Sequence, residues 1–133
     1  MNMTQNPAAT FFQDKLAFEA EMGMVVKIVS EKNVAYLLLD VRSQEAFAKG
    51  HIPGARNIPR VQLAEKLAEL PKDKTIITYC YHAYCFASAK AALELAKAGF
   101  TVMEMPGGFD EWEKRNHPVH VHDDGKSNIV CDC

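Results

Sequence analysis

The sequence lacks any apolar stretch long enough to cross a bilayer. Its longest purely apolar run is Val34-Ala-Tyr-Leu-Leu-Leu39, where a spanning helix needs about 20 residues. No Lys or Arg precedes Lys15 and no long apolar segment follows Met1, so no secretory leader is expected. A dominant charge is missing too: 15 Lys and Arg stand against 17 Asp and Glu, a formal net charge of −2. That balance argues against a nucleic-acid or anionic-membrane surface, because both need clustered positive charge. Internal repeats and low-complexity tracts are also absent from the chain.

What is present suits one folded domain. The chain has 133 residues, 48% of them hydrophobic, enough for one core and too apolar for disorder. Its 4 cysteines fall in two close pairs, Cys80 with Cys85 and Cys131 with Cys133. With no leader, a reducing cytoplasmic compartment is expected, where such pairs serve chemistry more often than they staple a fold.

Residues 1–10 are polar, hold Pro7 and show no period, which predicts a flexible arm over 1–14. Weak alternation over 16–21 suits a short edge strand, and Met24, Val25, Ile28 and Val29 follow at helical spacing. The run 36–39 has no alternation, as expected of a strand covered on both faces of a parallel sheet. Ser43 is placed to cap a helix over 44–49 that Gly50 closes. Leu63, Leu67 and Leu70 predict an amphipathic helix ended by Pro71. A strand over 75–79, an Ala/Lys-rich helix over 86–98, a strand over 100–103 and a helix carrying Phe109 and Trp112 complete the pattern. Residues 120–133 form a polar tail ending in Cys-Asp-Cys. Strands alternating with helices imply parallel crossovers, hence an α/β fold: a mostly parallel sheet of about five strands with helices on both faces.

In such a sheet, ligands sit beyond the carboxyl ends of the strands. Cys80 follows the 75–79 strand directly and opens a short loop, Cys80-Tyr-His-Ala-Tyr-Cys85, that runs into a helix start. The free N–H groups and positive dipole of that start favour an anion. They predict a Cys80 thiol of lowered pKa, and they would equally hold a persulfide anion. A buried, unreactive thiol is the competing reading.

The residues around it carry a resemblance. Leu37-Leu-Leu-Asp-Val-Arg-Ser43, Glu45-Ala-Phe47, Gly50-His-Ile-Pro-Gly-Ala55 and Asn57-Ile-Pro59 resemble the first signature of rhodanese-like domains. Tyr79-Cys80, the loop after it and Pro106-Gly-Gly-Phe-Asp-Glu-Trp112 are similar to the second. The likeness covers about residues 15–119, within a single-domain subgroup whose loop reads Cys-x4-Cys. It implies a rhodanese-like fold, with Cys80 as the sulfur-carrying nucleophile and Tyr81, His82, Ala83, Tyr84, Cys85 and Phe86 as the active-site loop. It also makes Asp40 and Arg42 structural, the first bracing loop backbone and the second paired with a carboxylate.

The loop departs from many active relatives. Ala83 stands where many have Gly, so a backbone site needing positive φ would be strained. Cys85 stands where many carry a basic residue, and Tyr81, Ala83, Tyr84 and Phe86 make the mouth apolar. A thiol-borne persulfide therefore suits the loop better than the thiosulfate dianion. Cys-dependent phosphatases and arsenate reductases of similar fold use Cys-x5-Arg, and Phe86 occupies that Arg position. Cys85 is a candidate resolving thiol, within reach of a disulfide to Cys80. His51 in Gly50-His-Ile-Pro-Gly54 reads as bonded to a turn rather than as a base, and Trp112 as core. No metal site matches the spacing of His117, His120, His122, Asp123, Asp124, Cys131 and Cys133.

The expected function is sulfur transfer, with no metal or organic cofactor. Cys80 takes sulfur from a small-molecule or protein sulfane donor and passes it to a thiol or cyanide. The alternative is a non-catalytic interaction or thiol redox-sensing module built on the same fold.

Overall fold

Local chemistry at Asn6 and Pro7 opens the first element in the computed structural model, which describes residues 6–122. The Asn6 side chain accepts from the Ala8 N–H at 2.9 Å, and proline in the first turn forfeits no helical bond. Pro7–Phe18 is accordingly a helix, α1. The arm expected over 1–14 is thus helical from Pro7 onward, residues 1–5 lying outside the described residues, and the edge strand expected over 16–21 does not form. All that survives of the strand is one parallel bridge between Glu19 and Glu104.

The other elements follow in chain order: α2 (Met22–Glu31), β1 (Tyr36–Asp40), α3 (Gln44–Lys49), β2 (Arg56–Asn57), β3 (Thr75–Tyr79), α4 (Ala87–Lys97), β4 (Thr101–Glu104) and α5 (Gly108–Lys114). Ser43 caps α3, accepting from the Ala46 N–H at 3.1 Å. Between β2 and β3 the expected α-helix is instead a run of 3₁₀ turns, Arg60–Glu69. A 3₁₀ rise of about 2.0 Å per residue, against about 1.5 Å in an α-helix, stretches the same residues further across the sheet. Leu63 and Leu70 are still buried.

The sheet has four parallel strands in the order β2-β1-β3-β4, close to the expected five. Its two faces carry separate cores, sorted by the period of two along each strand. Leu38, Ile77 and Tyr79 pack with Val25, Phe47, Phe109 and Trp112. Leu39, Ile76 and Cys80 pack on the other face with Leu63, Ala91 and Leu95. No helix among the described residues is long and apolar enough to cross a membrane.

The expected tail is anchored at its start. His120 and His51 exchange two backbone hydrogen bonds of 2.9 Å, and the His122 N–H donates to the Ala48 carbonyl at 2.9 Å. Residues 123–133, including Asp123, Asp124, Cys131 and Cys133, lie outside the described residues.

Candidate functional site

β3 aims Ile76, Thr78 and then Cys80 at the face covered by α4. Cys80 is 1% exposed. Its thiol donates to the Cys85 carbonyl at 3.1 Å and meets the Ser88 hydroxyl at 3.3 Å. Residues 81–86 lead from it into α4, which carries Ser88 in its first turn.

The electrostatics of the two loop thiols differ from expectation. Burial pushes the Cys80 thiol up, and contact with Cys85 adds to this; the hydroxyl and N–H of Ser88 pull the other way without overcoming it. Burial also works upward on Cys85, but hydrogen bonds from the Cys80 thiol and from the backbone of Ala87 and Tyr81 bring it below its usual value. The predicted lowering thus falls on Cys85 rather than Cys80. The reason lies in where the loop donors point. The Tyr84 N–H goes to His82 Nδ1 at 3.2 Å and the Cys85 N–H to the His82 carbonyl at 3.1 Å, so both are spent inside the loop. Both cysteines are free thiols.

Ala83 brings no positive-φ strain, since among the described residues only Lys32 and Asn116 adopt positive φ without being glycine. Tyr84 and Phe86 are 85% and 68% exposed, giving the mouth the apolar, aromatic surface expected. Tyr81 bends back instead, its hydroxyl accepting from the Ser43 N–H at 3.2 Å. Beside the loop lies a pocket of about 230 Å³ onto which Cys85, His82, Ser88 and Glu104 open.

Asp40 and Arg42 stand behind the loop. Arg42 Nη2 lies 2.7 Å from Asp40 Oδ2 and donates to the Gly50 carbonyl at 2.6 Å. Its guanidinium covers the Phe109 ring at 4.4 Å. Asp40 also accepts the Arg42 N–H at 2.9 Å. His51 is fully buried, stacked on Phe47 at 3.6 Å, with Nδ1 2.7 Å from the Phe47 carbonyl. Trp112 is buried as well and donates to the Pro118 carbonyl at 2.7 Å.

Three residues were not singled out in the sequence. Gly108 (φ +65°) lies against the loop backbone, while the Phe109 and Asp110 N–H groups donate to the Cys80 and Tyr81 carbonyls at 2.8 Å. Ser88 and Glu104 are joined at 2.7 Å. The signal for both was available: a serine on the buried stripe of α4, and a glutamate in phase with Val102 on the α4-facing side of β4.

Comparison with known proteins agrees with this architecture. The pattern of the rhodanese-like domain matches residues 23–115. Over 82 residues the chain is 44% identical to the HTH-type transcriptional regulator Rv0324 of Mycobacterium tuberculosis, a match spanning 62% of this chain but only 36% of the regulator's length. Over 94 residues it is 33% identical to the thiosulfate sulfurtransferase GlpE of Stutzerimonas stutzeri, spanning 70% of this chain and 84% of that protein. The crystal structure of the BH2092 protein from Bacillus halodurans superposes with a TM-score of 0.82 at 32% identity, over 96% of this chain and 95% of that one. By sequence match and by architecture, the chain belongs to the rhodanese-like domain family.

Proposed function

We propose that the chain is a sulfurtransferase in which Cys80 carries the sulfur. The observation that carries this reading is the setting of Cys80: at a strand end, under a loop that holds a second thiol, its sulfur 3.3 Å from the hydroxyl of Ser88 in the first turn of α4. Its similarity to proteins named thiosulfate sulfurtransferase supports the same chemistry. Cys80 thiolate attacks the outer sulfur of a donor R–S–SH. A new S–S bond forms on Cys80 as the donor's S–S bond breaks, and the electron pair leaves with R–S⁻. An acceptor thiolate, or cyanide, then attacks the outer sulfur and regenerates Cys80 thiolate. The pocket at the loop presents the carboxylates of Glu19 and Glu104 and no Lys or Arg. That lining favours a thiol-borne persulfide over the thiosulfate dianion.

Cys85 offers a second outlet. Its thiolate attacks the inner sulfur of the Cys80 persulfide, forming a Cys80–Cys85 disulfide and expelling hydrosulfide. The two cysteines are oxidised as the sulfane sulfur is reduced. In intact-mass measurements, glutathione persulfide is expected to add one sulfur to the wild type, and Cys80→Ser to abolish that gain. A wild type left unmodified by both glutathione persulfide and thiosulfate would overturn the reading. In Cys85→Ser, hydrosulfide release without an added acceptor is expected to stop while transfer to thiols continues.

Burial of Cys80 favours a second reading, a thiol pair that senses oxidants in a binding module, as does similarity to a transcriptional regulator. Reversible Cys80–Cys85 disulfide formation under peroxide with no sulfur uptake from either donor would select it.

A further inference from the structure

We infer that Ser88 and Glu104 form a proton relay that draws the Cys80 thiol proton out to the neighbouring pocket. The inference rests on Cys80 being the sulfur carrier. Glu104 is the odd residue on its face. Along β4 its side chain is in phase with Val102, on the side of the sheet whose core holds Leu39, Ile76, Ala91 and Leu95. A carboxylate turned to that side is costly unless it is hydrogen-bonded. Its Oε2 lies 2.7 Å from Ser88 Oγ.

Both residues are held in place. The Glu104 carbonyl accepts from the Ala20 N–H at 2.8 Å, and its backbone pairs with Thr78 on β3. Ser88 is 2% exposed, with its carbonyl fixed by the Thr78 hydroxyl at 2.9 Å. Glu19, the other acid at the pocket, is engaged by Lys15 at 2.6 Å.

Donor and acceptor rules fix the polarity of the chain. A carboxylate only accepts, so the single Ser88 hydroxyl proton goes to Glu104, and the Ser88 lone pair faces the Cys80 thiol at 3.3 Å. Rotation about the Cys80 Cβ–Sγ bond swings the thiol proton from the Cys85 carbonyl to Ser88 Oγ, and it moves onto that oxygen as the serine's own proton moves to Glu104 Oε2. One S–H and one O–H bond break, two O–H bonds form, and the three groups keep the same total charge. Afterwards Glu104 donates to Ser88, and Ser88 donates to the Cys80 thiolate. Both hydrogen bonds survive with direction reversed. Glu104 opens on the same pocket as Cys85 and His82. There it surrenders its proton to water or to the thiolate that leaves the sulfur donor.

This arrangement predicts the opposite of simple charge repulsion. If Glu104 acted only as a nearby negative charge, removing it would ease thiolate formation and speed Cys80. In Glu104→Gln the side-chain carbonyl still accepts from Ser88 but takes no proton, so the relay stops. At neutral pH, iodoacetamide labelling of Cys80, resolved by peptide mass spectrometry in the full chain, is expected to slow about tenfold or more in Glu104→Gln and in Ser88→Ala. Ser88→Thr, which retains the hydroxyl, is expected to keep most of the wild-type rate. Ultraviolet thiolate absorbance reads the same loss independently of access to the sulfur. A Glu104→Gln protein that is folded by thermal melt and forms Cys80 thiolate as well as or better than wild type would overturn the relay. Intact mass after glutathione persulfide separates the two readings. Sulfur uptake by wild type with no slowing in Glu104→Gln defeats the relay alone, and slowing without any uptake defeats the sulfurtransferase reading alone.

Discussion

Gly108 is the point at which α5 meets the Cys80 loop. A Cβ there would stand 2.6 Å from the Cys80 carbonyl oxygen and 2.8 Å from the His82 nitrogen, at a φ of +65°. Both neighbours are backbone, so neither yields cheaply. Gly108→Ala is expected to cost about 2–4 kcal/mol from left-handed strain and overpacking together, read as a lowered urea midpoint. Gly107→Ala shares the left-handed strain, at a φ of +89°, but its Cβ meets only the side chains of Glu111 and Met22, both at 3.1 Å, and no backbone. It is expected to destabilise less, and equal midpoints for the two variants would refute that contrast. The two loop thiols offer a pH test. Burial holds Cys80 above the ordinary thiol range and hydrogen bonds hold Cys85 below it. Site-resolved alkylation is therefore expected to switch on at lower pH for Cys85 than for Cys80, and coincident profiles would contradict this. Of these residues, Cys80 was legible in the sequence because its place after a strand and before a helix start is a local pattern. Ser88 and Glu104 carried only a positional signal, and neither their pairing nor the role of Gly108 was legible, because these come from contacts between β3, α4, β4 and α5.

Among the elements, β1, β3 and α4 were legible because each is an apolar or Ala-rich run with a clear stop. α1 was missed for a physical reason. Its side chains include no buried residue, so no apolar stripe betrays it; Leu16 is 78% and Phe11 61% exposed. A helix of 12 residues is marginal by itself in water. The Asn6 cap, the Lys15–Glu19 ion pair and the tether to β4 through Glu19 and Ala20 hold it. α1 is therefore expected to open independently of the sheet, its amides exchanging faster than those of β1 and β3. Asn6→Ala removes a cap worth about 1 kcal/mol and is expected to quicken that exchange further with no shift in the global unfolding midpoint. Exchange in α1 as slow as in β3 would show that it belongs to the same cooperative unit.

At the scale of the whole molecule, a buried polar cluster ties the C-terminal segment to the face of the sheet opposite α4. Arg42 joins Asp40 at the end of β1 to the Gly50 carbonyl after α3, and the next residue, His51, bridges to His120. Burial lowers the His51 pKa, His120 and Arg42 lower it further, and the Phe47 carbonyl and Asp40 only partly oppose them. The unfolded chain takes up this proton from about pH 6.5 downward, whereas the folded chain resists it to lower pH. Stability from a neutral His51 is thus full above about pH 6.5 and lost as pH falls through the depressed folded value. The protonated ring would also keep its stack on Phe47 at 3.6 Å while gaining a charge with no water around it. The melting midpoint of wild type is expected to fall between about pH 7 and pH 5, and that of His51→Gln to fall less over the same range. Gln cannot titrate but can still donate to the Phe47 carbonyl, so the comparison isolates the proton from the hydrogen bond. Parallel slopes for the two proteins would assign the acid sensitivity to groups elsewhere and would leave His51 as packing alone.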